Sequence, residues 1–151
     1  MDARLDYVKA SPAAAKATYA LRAAVNASGL EAPLQELIKL RVSQINGCAF
    51  CIDLHSREAT AKGEKPERLF LLDAWRESPV YNPQRRAALA WAEAIALVSQ
   101  TIAPNAVYAE VREFFGEADL VNLTLAVVAI NGWDRFAIGF RAVPTLGKSR
   151  G

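Results

Sequence analysis

Apolar residues recur along most of this chain at the three- and four-residue spacing of amphipathic helices. The clearest case begins at Pro33 and stops at Asn46-Gly47. Between these residues one helix face is apolar, and it consists of Leu34, Leu37, Ile38, Val42 and Ile45. We find no stretch that alternates apolar and polar residues between turn signals, so strands are not expected. The pattern predicts an all-α protein.

Prolines, glycines and capping residues divide the sequence into about six to seven helices of a bundle. The first three are expected from Pro12 to Asn26, from Pro33 to Asn46, and from about Cys48 to Lys62 ahead of Gly63. A short helix follows from Pro66, and a longer one extends from the cap at Asn82-Pro83 to Ser99. The last two are predicted at Val107–Phe115, closed by Gly116, and from Ala118 to Ile130 with a possible extension to Phe140.

The length of 151 residues is that of one domain, so we expect a single unit over 1–151 with a frayed tail at 143–151. Apolar residues make up 52% of the chain and charged residues 23%, an apolar composition for so small a protein. Part of the apolar surface is therefore expected to be covered by other subunits. The net charge is only +2, with basic and acidic residues interspersed, which argues against a nucleic-acid partner.

Two features of the sequence argue against export and against a membrane. The N-terminus carries Asp2, Arg4, Asp6 and Lys9, with no uninterrupted apolar stretch typical of a signal peptide. The longest apolar run, Leu123–Ile130, is too short to cross a bilayer. We therefore predict a cytoplasmic protein without a membrane partner.

The two cysteines, Cys48 and Cys51, are three residues apart. A bridge between them would close a very small loop and constrain the unfolded chain little, so structural stapling is a poor explanation. In a reducing compartment such a pair is catalytic, metal-binding or incidental.

The helix predicted to start at Cys48 places Cys48, Cys51 and His55 on one face, within about 60° around its axis. Unpaired amides at a helix N-terminus favour the thiolate, which is the reactive form of cysteine. His55, the only histidine in the chain, could take or return a proton near neutral pH. Glu36, on the preceding helix, reaches this site only if the Asn46-Gly47 turn folds the two helices side by side.

This stretch resembles the carboxymuconolactone decarboxylase superfamily, and specifically its alkylhydroperoxidase D-like branch. The matching features are Glu36, the segment Arg41-Val-Ser-Gln-Ile-Asn46, the C-x-x-C pair and a histidine four residues after the second cysteine. Weaker similarities, expected to serve packing and assembly, lie at 75–79, 86–93 and 130–135. The resemblance implies a homo-oligomer, a trimer or a hexamer, of helical subunits.

The resemblance also implies a thiol-dependent peroxidase that needs no cofactor and no metal. Cys51 would attack the peroxide and become a sulfenic acid, and Cys48 would resolve it into a disulfide. Glu36 would act through Cys48, a bound water and His55 to deprotonate Cys51. An external dithiol, thioredoxin-like or lipoyl-type, would then reduce the disulfide. The sequence departs from the family at Phe50, where the best-characterised branch has a second histidine, and this puts efficient peroxidase activity in question.

Four other interpretations remain open from the sequence. The pair could support general disulfide exchange without efficient peroxidase activity. It could instead bind zinc together with His55 and Glu36, although ligands along one helix face make a strained site. Decarboxylation of a muconolactone is suggested by the superfamily name, but the C-x-x-C pair belongs to the peroxidase-like branch. Finally, the cysteines could simply fill space in a non-catalytic helical oligomer.

Overall fold

The computed structural model describes residues 2–144, and within this range the chain forms nine α-helices and no strands. They are α1 (Tyr7–Ala10), α2 (Pro12–Asn26), α3 (Ala32–Asn46), α4 (Ala49–Ala61), α5 (Pro66–Phe70), α6 (Pro83–Ala96), α7 (Val98–Thr101), α8 (Asn105–Arg112) and α9 (Glu117–Phe140). The prediction of an all-α bundle is confirmed. Over residues 2–144 the structure has two more helices than the seven that the sequence placed. The additional ones, α1 and α7, have four residues each and are too short to show a periodic pattern. The predicted frayed tail lies, from 145 onward, outside the described residues.

Capping residues set the helix starts that the sequence predicts. Ser11 accepts a hydrogen bond from the Ala14 amide at 3.5 Å, and Pro12 follows it in the first turn of α2. Asn82 accepts from the Arg85 amide at 2.9 Å at the start of α6. These side chains satisfy amide donors that have no partner inside the helix.

Two helix ends differ from the prediction. The helix expected to reach Ser99 stops at Ala96, and Ser99 lies in the separate helix α7. Thr101 turns back there and donates its hydroxyl to the Ala94 carbonyl at 2.6 Å. α8 ends at Arg112 instead of Phe115. The chain turns there, and the Phe114 and Phe115 amides both donate hydrogen bonds to the Val111 carbonyl. Local hydrogen bonds of this kind leave no periodic trace in the sequence.

Helix α3 is the centre of the bundle, in contact with α4, α6 and α9. Leu37, Ile38 and Leu40 of α3 are fully buried, and they join Leu89 of α6 and Leu123 of α9 in one hydrophobic core. Nine of the fifteen residues of α3 are buried, including Glu36, Lys39 and Ser43. The polar face of α3 is therefore also enclosed, between α4 and α9.

Helix α9 is long and apolar enough to cross a membrane by length and composition. The prediction from the short run Leu123–Ile130 underestimated it, because the helix continues without a break to Phe140. α9 packs against α2, α3 and α6 and carries the fully buried Asp134. The core helix of a globular protein passes the same test, and packing inside the bundle accounts for the buried face of α9 but not for Val121 and Val128, which are exposed.

Candidate active site

The two cysteines lie together at the start of α4. Cys48 is the N-cap residue, and its sulfur accepts a hydrogen bond from the Cys51 amide at 3.3 Å. The two sulfurs are paired as a disulfide, and the Cα atoms are 5.3 Å apart. Both residues are buried. The sulfur atoms thus lie where the unpaired amides of a helix N-terminus stabilise a thiolate.

The turn between α3 and α4 brings Glu36 to His55. Gly47 adopts a left-handed conformation, with φ at 69°, and the Cys48 amide donates to the Ser43 carbonyl at 3.0 Å. The chain therefore reverses sharply, and α4 packs along α3. His55 Nδ1 lies 3.3 Å from Glu36 Oε2 across this interface. The helices α3 and α4 therefore lie side by side, which is the condition that the sequence set for a role of Glu36 at this site.

Glu36 is a buried carboxylate surrounded by hydrogen-bond donors. Lys39 Nζ donates to Oε1 at 3.1 Å, and Lys62 Nζ donates to the same oxygen at 2.6 Å. Burial alone would raise the pKa of Glu36, but hydrogen bonds from His55 and Lys62 and the charge of Lys39 lower this pKa to about 2. Glu36 is therefore a fixed negative charge beside His55. Neither lysine was identified from the sequence, although Lys39 is one helical turn from Glu36.

Asp134, on α9, is a site residue that the sequence analysis missed. It is fully buried, and its two oxygens accept hydrogen bonds from Ser43 Oγ at 3.0 Å and from Asn46 Nδ2 at 2.7 Å. One carboxylate oxygen and the sulfurs of Cys48 and Cys51 all lie within 4.8 Å of one another. Burial raises the pKa of Asp134, and its two hydrogen bonds only partly offset this. An aspartate within an almost wholly apolar helix is the signal that could have identified it.

The residues proposed as zinc ligands fall into two separate clusters. Cys48 and Cys51 group with Asp134, whereas Glu36 and His55 group with Glu58, whose Oε2 is also 3.3 Å from His55 Nδ1. Among the described residues, neither cluster combines a cysteine with the histidine. Lys39 and Lys62 already neutralise Glu36. The arrangement suits proton and thiol chemistry better than a four-ligand zinc site.

A cavity of about 160 Å³ opens onto Cys51 and His55. Four aromatic side chains line it, together with Leu54 and small or branched apolar residues of α2 and α9; the aromatic residues are Tyr7, Tyr19, Phe50 and Trp133. Two cations reach the wall, but Arg22 is paired with Glu58 at 3.3 Å and Lys39 with Glu36. The cavity thus offers an apolar, aromatic surface beside one sulfur.

Comparison with known proteins places this chain in a family. The sequence profile of the Carboxymuconolactone decarboxylase family matches residues 12–94, more than half of the chain. The uncharacterized protein YdfG of Bacillus subtilis is 38% identical over 138 residues, which is 91% of this chain and 94% of YdfG.

Solved structures show the same fold. An Agrobacterium tumefaciens protein of unknown function, provisionally described as the antioxidant defence protein AhpD, is 44% identical. The superposition has a TM-score of 0.95 and covers 97% of this chain and 100% of the other. A peroxidase-related protein from Ralstonia eutropha, described as an alkylhydroperoxidase AhpD core, shares the fold at 20% identity, with a TM-score of 0.80 over 91% of this chain and 74% of that one. The chain therefore belongs to the carboxymuconolactone decarboxylase family, in its alkylhydroperoxidase D-like branch.

Proposed function

We propose that this protein is a thiol-dependent peroxidase that reduces organic hydroperoxides through Cys48 and Cys51. The observation that carries the proposal is the position of Cys51, at a helix N-terminus and open to an apolar cavity that it shares with His55. The resemblance of the solved Agrobacterium tumefaciens structure, with its suggested antioxidant role, supports it.

The proposed reaction has two oxidative steps and one reductive step. The Cys51 thiolate attacks the terminal peroxide oxygen, the O–O bond breaks, and the alkoxide leaves as an alcohol after taking a proton. Cys48 then attacks the resulting sulfenic acid, the S–O bond breaks, and water leaves as the disulfide forms. An external dithiol reduces the disulfide and is itself oxidised.

In this proposal His55 accepts the proton of Cys51 and delivers it to the leaving alkoxide. Glu36 has too low a pKa to take protons at neutral pH. It therefore acts by its charge, because a fixed carboxylate at 3.3 Å orients the ring and stabilises the imidazolium. This role differs from the relay that the family implies, in which Glu36 itself takes part in moving the proton.

Phe50 forms part of the cavity wall, at the position where the best-characterised branch has a second histidine. We propose that His55 alone provides proton transfer and that Phe50 contributes apolar contact to the substrate. General disulfide exchange is the alternative function. It would hold if the thiols exchange with small disulfides but stay reduced under excess hydroperoxide.

The narrow access to the two sulfurs restricts the size of the reductant that can reach them. Because Cys51 is only 3% exposed and is reached through the cavity, a slender lipoyl-type dithiol fits better than the broad face of a thioredoxin-like protein.

We also propose a cytoplasmic location, because a dithiol cycle of this kind needs a reducing compartment. Val121 and Val128, exposed on α9 at 68% and 49%, are suited to burial against a second copy, and we propose a trimer or a hexamer.

Mass spectrometry of the oxidised protein tests the proposed function. Reduced wild-type protein treated with cumene hydroperoxide should form an intramolecular Cys48–Cys51 disulfide. Cys48→Ser should stop one step earlier, with one equivalent of sulfenic acid at Cys51 that dimedone traps, because the resolving thiol is gone. If both thiols remain reduced under excess hydroperoxide, the peroxidase proposal is wrong.

The cavity predicts a preference among hydroperoxides. Burying a phenyl group against aromatic walls stabilises a bound substrate by about 2 kcal/mol, which corresponds to more than tenfold in kcat/KM. Cumene hydroperoxide should therefore react at least tenfold more efficiently than hydrogen peroxide in steady-state assays with dihydrolipoamide. Leu54→Trp, which narrows the cavity, should reduce this preference while leaving hydrogen peroxide turnover within about twofold. Equal kcat/KM values for the two oxidants in wild-type protein would contradict the substrate assignment.

A further inference from the structure

Asp134 has no part in the chemistry described above, yet it lies against the dithiol. Its side chain is fully buried, and one oxygen is within 4.8 Å of the sulfurs of both Cys48 and Cys51. A carboxylate so placed bears an energetic cost, because burial disfavours its charged form. Such a cost calls for an explanation in the local chemistry.

The partners of Asp134 hold it in place without neutralising it. Ser43 donates a hydrogen bond to one oxygen of Asp134, and Asn46 donates to the other. Both donors lie on α3 and are uncharged. Among the described residues no lysine or arginine forms an ion pair with it. The charges that it experiences come from His55 on α4 and from the neighbouring Arg135, whose guanidinium is exposed and bonded to Asn131. The carboxylate is thus oriented, and it can still gain or lose a proton.

The position of Asp134 assigns it to the side of the dithiol that His55 does not serve. Cys51 and His55 both line the substrate cavity, whereas, among the described residues, Cys48 and Asp134 do not. Cys48 is 1% exposed and packs with Cys51 and Ala137, one turn beyond Asp134 on α9. When Cys48 resolves an intermediate on Cys51, its thiol proton needs an acceptor in this enclosed space.

We propose that Asp134 is the proton acceptor and donor of Cys48 in the dithiol cycle, an inference that rests on the function proposed above. In the oxidative direction the Cys48 proton moves to the Asp134 carboxylate, and the thiolate attacks the sulfur of Cys51. The new S–S bond forms as the S–O bond of the Cys51 sulfenic acid breaks, and Asp134 passes its proton to the departing hydroxide, which leaves as water. In the reductive direction a thiol of the external dithiol attacks the sulfur of Cys51 and loses its proton. Cys48 leaves as a thiolate, and Asp134 accepts that proton and passes it to Cys48.

A small disulfide separates the two thiols without any peroxide. With 4,4′-dithiodipyridine, Cys51 forms a mixed disulfide and releases one thiopyridone, and then Cys48 displaces the second thiopyridone as the internal disulfide forms. The first phase reports Cys51, and the second reports Cys48. Because a positioned base contributes roughly 10²–10⁴-fold, we expect Asp134→Asn to slow the second phase at least tenfold near neutral pH. The first phase should stay within about twofold of wild type.

The pH profile gives a readout that a purely structural role would not alter. In wild-type protein the second-phase rate should rise with pH as Asp134 ionises, and this inflection should be missing in Asp134→Asn. Ser43→Ala keeps the carboxylate but removes one bond to its charged form, so the inflection should move to higher pH. Asp53→Asn, at a carboxylate on α4 paired with Arg57, is the matched control and should leave both phases unchanged.

Each outcome decides between distinct claims. An unchanged second phase and pH profile in Asp134→Asn would overturn the assignment of Asp134. If that variant does not fold, an unshifted inflection in Ser43→Ala would overturn it instead. Failure of hydroperoxide to oxidise the thiols would remove the peroxidase proposal but not this one, because both phases are measured with dithiodipyridine alone.

Discussion

Cys51→Ser is expected to abolish hydroperoxide turnover, lowering kcat/KM by about a thousandfold or more. A serine hydroxyl stays protonated near neutral pH and is a far weaker nucleophile than a thiolate at a helix N-terminus. Cys48 cannot replace it. Within residues 2–144, Cys51 lines the cavity and Cys48 does not. The measurement is the rate of cumene hydroperoxide consumption with dihydrolipoamide as reductant, at matched protein concentration.

The fold should survive this substitution. The disulfide closes a loop with a sequence separation of only 3, so its loss changes the entropy of the unfolded chain little. Unfolding midpoints of oxidised wild type and Cys51→Ser should therefore agree within a few degrees. Retained hydroperoxide turnover in the variant would place the nucleophile elsewhere. Turnover of a muconolactone that survives Cys51→Ser would instead favour a decarboxylase.

Local signals account for what the sequence predicted well. The side chains of Ser11 and Asn82 accept hydrogen bonds from amides three positions ahead, and the Gly47 amide donates to carbonyls three and four positions back. Because these bonds are local, the helix starts and ends that they set can be predicted from the sequence. The start of α4 at the cysteines follows from the same local rule. The sequence also predicted that Glu36 approaches His55 if the turn at Gly47 folds α3 and α4 side by side. The turn is sharp, and the two helices do pack together.

Contacts between distant segments account for what the sequence analysis missed. Ser43 and Asp134 are 91 positions apart, and only the packing of α9 on α3 brings them together. Glu93 has similarly distant partners, since it accepts from Trp75 Nε1 and Arg41 Nε, both at 2.8 Å. The periodicity of each helix predicts that one face is buried, but it does not predict which neighbour covers that face. Asp134 therefore becomes meaningful only in the assembled bundle.

Acid should destabilise the protein, and Glu36 should contribute a large part of this loss of stability. Its pKa falls from 4.5 in the unfolded chain to about 2 in the folded one, so its stabilising effect is complete above pH 4.5 and is lost as the pH falls towards 2. A difference of this size corresponds to on the order of 3 kcal/mol of unfolding free energy. Urea unfolding of reduced wild-type protein at pH 7 and at pH 3 should show a lower stability at pH 3.

Glu36→Gln should destabilise the protein by about 3 kcal/mol at neutral pH and reduce this acid dependence, leaving the part that Glu93 contributes. The variant leaves the ammonium of Lys39, whose side chain is only 9% exposed, without its anion, and an unpaired buried charge carries a cost of this order. Urea titrations at several pH values measure both effects. A variant as stable as wild type at pH 7, with the same loss towards pH 3, would show that Glu36 is not the group responsible.

Glu93→Gln is the matched control variant that separates a role of Glu36 in the chemistry from its role in stability. Glu93 is also buried, and although burial alone would raise its pKa, hydrogen bonds from Trp75, Arg76 and Arg41 lower it. Both variants should therefore lose stability. Only Glu36→Gln should also slow the first, Cys51-dependent phase of the dithiodipyridine reaction, because Glu36 contacts His55 whereas Glu93 does not. Equal first-phase rates in the two variants, under conditions where both are folded, would reduce Glu36 to a structural residue and leave His55 to act without it.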